Sequence, residues 1–227
     1  MLPSFLARFD WTNPNEAKGM WCGYLLAPSL TPELLLELSP YFLKTFADST
    51  TLGEYEAKFY QLFAIVLIRP EYELDKTVAR NALRSASTKG RANVVEYLLR
   101  LTDSATDYGA NLFRDCLKDL FEEIWPHEND FREPESSSFL AQLALNCGRN
   151  FHDAVAAFTP LIVPCVNIDY IMRAFQGKDF CERFPNSSLD LLGAVVAENF
   201  NSWSAGELRE ILDRIKRTNS DLVKSPS

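Results

Sequence analysis

Large apolar residues recur at three- and four-residue intervals along most of the chain, and that period decides what it can build. Between Glu54 and Ile68, Tyr55, Phe59, Leu62, Phe63, Val66 and Leu67 keep this spacing. With 3.6 residues per turn, it gathers them into one stripe of an α-helix. A second stripe, Leu112, Phe113, Cys116, Leu117, Leu120, Phe121, Ile124 and Trp125, runs through residues 107–125 and stops at Pro126, which lacks the N–H a continuing helix needs. Starts are marked as clearly. Asn13-Pro14, Thr31-Pro32 and Ser39-Pro40 each set a capping side chain before a proline suited to the first helical position. No stretch alternates with period two between hairpin turns, so a substantial sheet is not expected.

The reading is therefore an all-α fold. Three short helices fit the first fifty residues, burying in turn Ala17, Met20, Trp21 and Tyr24; Leu34, Leu35 and Leu38; and Tyr41, Phe42, Leu43 and Phe46. After the central helix 54–68, Gly90 separates a helix over 73–87 from one over 92–101, as an antiparallel pair. Helices follow over 107–125, from Phe139 to Gly148, and over 151–158, 168–175, 187–200 and 205–219. About 10–12 helices, paired every roughly 35–45 residues, point to an α-solenoid of HEAT or armadillo style. Residues 1–219 form a single helical-repeat-like domain. The polar stretch 127–138 is the expected hinge or sub-boundary, and 220–227 is a frayed tail.

Composition narrows the function classes. A formal charge of -8 argues against a general nucleic-acid binder, whose affinity comes from clustered Lys and Arg neutralising phosphates. It also disfavours anionic membrane surfaces. The apolar run Phe63–Ile68 is far too short to span a bilayer, and Met1–Arg8 has no basic segment leading a long apolar one, so neither a membrane anchor nor a secretory signal is expected. Five scattered cysteines, Cys22, Cys116, Cys147, Cys165 and Cys181, read as reduced core thiols of a cytoplasmic protein.

A search for chemistry finds no self-contained site, and neither a cofactor, a metal nor a small-molecule ligand is indicated. Phosphate-loop and dinucleotide glycine patterns are absent. The two histidines, His127 in a polar turn and His152 at a helix start, have no ligand partners at zinc spacing. Asp115, Asp119 and Glu122 share a helix face by 4-3 spacing, as helical metal or acid–base sites do, but lack the Glu-x-x-His partner such sites use. One charged feature stands out: Lys76, Arg80 and Arg84 at i, i+4, i+8, followed by Lys89 and Arg91. In an acidic chain this basic ridge is the candidate partner-binding surface, because aligned cations reinforce one another and steer association. The alternative is a solvated helix face. Trp21 and Trp125 belong to apolar stripes and should pack inside, whereas Trp11 and Trp203 are candidate interface anchors.

Two segments, Trp21-Cys22-Gly23-Tyr24-Leu25-Leu26-Ala27-Pro28 through Leu30, Pro32 and Leu34-Leu35 to Pro40-Tyr41-Phe42-Leu43, and Ile124-Trp125-Pro126, are joined by Pro160-Leu161 and Cys181-Glu182-Arg183-Phe184-Pro185 ahead of Leu189-Asp190-Leu191-Leu192. Together they resemble the C-terminal helical region, a domain of unknown function, of large bacterial antiphage defence proteins that carry a sirtuin-like NADase or other effector domain upstream. The resemblance implies the terminal part of a longer polypeptide with its chemistry upstream. It also implies a non-catalytic module that senses a phage protein, restrains the effector or joins protomers. The competing expectation is a stand-alone acidic regulatory or inhibitor protein that masks a partner protein.

Overall fold

The computed structural model describes residues 8–11, 13–26, 31–46, 48–102, 108–165, 168–196 and 205–218. They form an all-α fold of twelve α-helices with no β-strand among the described residues, and no described helix is long and apolar enough to cross a membrane. The chain divides into two compact units. One comprises Met1–Tyr97 with Glu123–Pro126, and the other Leu98–Glu122 with His127–Ser227.

In the first unit lie α1 (Pro14–Leu26), α2 (Pro32–Phe46), a 3-10 turn (Ser49–Tyr55), α3 (Glu56–Ile68), α4 (Lys76–Ser85) and most of α5 (Thr88–Leu101). The expected caps at the first two helices are made: Asn13 accepts from the Asn15 N–H at 3.0 Å and Thr31 from the Leu34 N–H at 3.3 Å. The third expected start is overturned, because α2 runs through Pro40. Pro40 removes the hydrogen bond to the Leu36 carbonyl, but both residues lie on the exposed side of the helix, where water can serve that carbonyl. The apolar sides of α1, α2 and α3 meet in an aromatic cluster. Phe46 and Phe63 approach to 4.5 Å between ring centroids, Phe42 and Phe59 to 4.7 Å, and Trp21 packs edge-on to Phe59 at 5.3 Å. Each pair adds about 0.5–1.5 kcal/mol beyond the area it buries.

Gly90 does not separate two helices as expected; it sits inside α5. A β-carbon there would stand 2.1 Å from the Tyr60 ring. Here glycine permits close approach of α5 to α3 rather than marking a break.

The second unit contains most of α6 (108–124), then α7 (Pro134–Asn146), α8 (Phe151–Phe158), α9 (Asp169–Gly177), α10 (Phe180–Arg183), α11 (Pro185–Val195) and α12 (Ala205–Thr218). Helix α7 packs on α8, α8 on α11, and α12 on α9, α10 and α11. Phe121 meets Phe158 at 4.8 Å and Phe151 meets Phe180 at 4.5 Å. Helix α6 contains two π turns, Phe113–Leu117 and Leu120–Ile124, each widening the 3.6-residue turn that regular spacing assumes.

The polar stretch 127–138 lies wholly in the second unit, and the chain changes unit after Tyr97, Glu122 and Pro126. Nor is it an open loop. A 3-10 turn occupies Asn129–Phe131, and α7 starts at Pro134, ahead of the expected Phe139. Ser137 is buried there because its hydroxyl donates to the Glu133 carbonyl at 2.8 Å and accepts the Val163 N–H at 2.9 Å. Gly148, at φ +55°, follows the end of α7 as expected. The helix expected over 187–200 is α11, ending at Val195; residues 197–204 with Trp203, and the tail 220–227, lie outside the described residues.

Candidate functional site

Helix α4 presents the ridge. Asp75, the residue before Lys76, caps it by accepting the Val78 N–H at 2.9 Å, so the helix starts at Lys76. The ridge cations are drawn into intramolecular contacts within the first unit. Lys76 donates to the Glu123 carboxylate and Arg80 to the Glu123 carbonyl, so both reach the same residue at the end of α6. Arg84 stands exposed on the last turn of α4. Arg91 is only 5% exposed; its guanidinium donates to the carbonyls of Leu83, at 3.1 Å, and Ala86, and so caps the C-terminus of α4. Lys89 points elsewhere, to Glu56 at 3.7 Å. The five cations therefore do not make one surface. Three share a helix face, one caps a helix from inside, and one serves a separate cluster.

That cluster was not singled out by sequence patterns. Glu56, 5% exposed at the first turn of α3, accepts from the hydroxyls of Ser49 at 3.2 Å and Ser87 at 3.4 Å. Ser49 also shares a 2.8 Å hydrogen bond with the fully buried Tyr60 hydroxyl. Burial raises the Tyr60 pKa, while its bonds to Ser49 and Ser87 pull it back. Ser87 in turn accepts the Gly90 N–H at 3.0 Å. The cluster ties the turn before α3 to the turn before α5. Removing one of these hydroxyls leaves the buried Glu56 side chain a hydrogen bond short, a loss of about 1–3 kcal/mol.

A second feature of the first unit is concave. A cleft of about 120 Å³ opens between α1, α2 and the turn Ser49–Tyr55, lined by Trp11, Ala17, Lys18, Trp21, Lys44 and Asp48 among others. Trp11 stacks on Tyr41 at 4.0 Å between centroids. At the floor, the buried Trp21 Nε1 donates to Thr45 Oγ1 at 2.8 Å, and that hydroxyl donates to the Tyr41 carbonyl at 2.9 Å. Lys18 and Lys44 stand exposed at the rim.

The remaining candidates resolve into structural contacts. Asp115 is exposed and pairs with its neighbour Arg114 at 2.7 Å, which holds its carboxyl below the usual value. Asp119 and Glu122 are exposed too, and the π turns of α6 break the regular 4-3 face the three were expected to share. Among the described residues no three His, Cys, Asp or Glu side chains are grouped to hold a metal ion. His127 Nε2 lies 2.8 Å from the Phe121 carbonyl, and His152 Nδ1 lies 2.8 Å from the Ser187 hydroxyl. The five cysteines are free thiols. Burial raises Cys147 far above the usual range and pushes Cys165 and Cys181 up to about 11, which disfavours the nucleophilic thiolate. Trp21 and Trp125 are buried as their stripes require. No family model matches the chain, and no curated protein or solved structure matches it.

Proposed function

We propose that this chain is a non-catalytic helical interaction module of a bacterial antiphage defence protein, working in the cytoplasm to sense a phage component or to control an effector domain. The observation that carries the non-catalytic part is where its ionisable groups go. Lys76 and Arg80 hold Glu123, Arg91 caps α4, Glu56 is enclosed by hydroxyls, and the buried thiols are pushed toward their protonated form. Catalysis needs such groups poised at a surface a substrate can reach. The defence setting is supported by the resemblance of the Trp21–Leu43, Ile124–Pro126 and Cys181–Leu192 segments. Stacked helices offer broad surfaces for a protein partner, and Lys76 and Arg84, both exposed, are where the ridge reaches solvent.

Two measurements test the reading. The isolated chain should show no NADase, nuclease or deaminase turnover, and activity above background would overturn it. Mixed with the effector region encoded beside it and with phage structural proteins, the chain should co-elute with one of them in gel filtration; co-elution with none sinks the interaction role. Charge reversal at Lys76, Arg80 and Arg84 should then weaken that complex.

A further inference from the structure

We propose that the cleft between α1, α2 and the turn Ser49–Tyr55 binds a small monocarboxylate, its anionic head between Lys18 and Lys44 and its compact apolar body against Trp11, Ala17 and Leu52. This goes beyond the interaction role and stands independently of it.

The first support is charge. Arg69, Lys76, Lys89, Arg114, Arg183 and Arg214 have a carboxylate within ion-pair distance, while other exposed cations, Lys118 and Arg217 among them, show none among the described residues. Neither Lys18 nor Lys44 has one among the described residues, yet both line the same cleft, one from α1 and one from α2. Two ammonium groups facing one concavity repel each other, and an anion between them removes that cost. The Lys18 side chain extends across to the turn: its Nζ lies 3.9 Å from where a β-carbon on Gly53 would stand, and Gly53 adopts φ +59° there. The ammonium is thus carried over the cleft, not along the outside of α1.

The second support is the lining. Trp21 Nε1 donates to Thr45 Oγ1 and that hydroxyl donates to the Tyr41 carbonyl, so both donors of the floor are already satisfied. An apolar group entering over them strands no donor. Trp11, Pro14, Ala17, Tyr41 and Leu52 supply the remaining apolar wall. A few convergent polar groups over an apolar floor are the usual make-up of a small-molecule site.

The third is Asp48, the one carboxylate among the described lining residues. Two cations against one anion leave a single net positive charge, matched to a monoanion. A dianionic phosphate would be left with an uncompensated charge beside Asp48.

Benzoate is the probe, benzamide its neutral isostere, and tryptophan fluorescence of the full chain the readout, since Trp11 and Trp21 both line the cleft. Benzoate should give saturable quenching at millimolar concentration or below, benzamide none, and Lys18→Ala and Lys44→Ala should each weaken binding roughly tenfold, about 1.4 kcal/mol. Asp48→Asn should tighten it, a gain that mere loss of folding would not produce, and inorganic phosphate should compete poorly. Absence of saturable quenching overturns the proposal. So does benzamide binding as well as benzoate, an unchanged response in the double lysine variant, or displacement by equimolar phosphate.

Discussion

The two compact units solve the same problem, holding short helices together, with a different balance of means. In the first, rings meet rings: Trp21, Phe42, Phe46, Phe59 and Phe63 form a continuous cluster across α1, α2 and α3. In the second, rings meet in smaller groups, Phe121 with Phe158 and Phe151 with Phe180, and polar side chains also reach across to backbone carbonyls of other helices. Arg214 on α12 pairs with Glu182 through two 2.8 Å contacts, and also donates to the carbonyls of Phe175 at 2.6 Å and Lys178 at 3.1 Å at the end of α9. Asn146 donates to the Thr102 carbonyl at 2.7 Å and Asn150 to the Ala110 carbonyl at 2.7 Å. The contrast teaches that helices of similar length can be fixed through their sides or through their ends. Aromatic packing needs large stripes, whereas end-capping satisfies carbonyls a short helix leaves open.

The sharpest break of the comparison is Trp21→Ala. It should cost the first unit about 3–5 kcal/mol, because an enclosed ring leaves a cavity its neighbours cannot refill. The described tryptophans, Trp11, Trp21 and Trp125, all belong to that unit, whereas Trp203 falls in the other, so in a Trp203→Phe background the fluorescence of Trp11 and Trp125 in urea reads its midpoint. Hydrogen exchange over α7–α12 should stay unchanged; if it collapses in parallel, the units do not hold themselves separately.

Arg214→Ala comes next and strikes the other unit, at about 1.5–3 kcal/mol for hydrogen bonds from a charged donor. Exchange should rise across α9, α10 and α12, with the fluorescence midpoint unmoved. This contact has a pH signature. Arg214 holds the Glu182 carboxyl below its ordinary 4.5. A depressed folded value means the contribution is complete above the ordinary value and lost as pH falls through the depressed one. Acid should therefore loosen α12 in the parent chain and have less effect on Arg214→Ala; equal acid sensitivity in both would sink the assignment.

Gly90→Ala should destabilise the first unit by about 1–3 kcal/mol, the usual range for overpacking. Tyr60→Phe would not relieve it, since the ring carbons are already in the way; Tyr60→Leu in the same chain should recover part of the loss. The smallest effect belongs to Lys76→Ala. An exposed ion pair contributes about 0–1 kcal/mol, and the change should shrink further in high salt. A larger, salt-independent loss would mean that the Glu123 contact holds 123–126 in the first unit more firmly than its exposure allows.

Local chemistry made much of the helical layout legible. Asn13 and Thr31 cap where a capping residue precedes proline, Gly148 follows α7, and Trp21 and Trp125 are buried as their stripes require. The misreadings share one cause. Pro40 and Gly90 look like breaks, and only the neighbours of each residue show otherwise: solvent beside Leu36, and the Tyr60 ring beside Gly90. The π turns of α6 left no trace in the spacing of Asp115, Asp119 and Glu122, because a widened turn follows from packing on both sides of a helix.

By itself, then, the sequence determined the all-α class and most helix positions, because period, caps and stripes act within a few residues of one another. Only the tertiary structure decided what the charges do. Lys76 meets Glu123 and Lys89 meets Glu56 across long separations, and Lys18, Lys44 and Asp48 converge from separate elements. Electrostatic and hydrogen-bond partners are chosen by distance in space, which no spacing along the chain encodes.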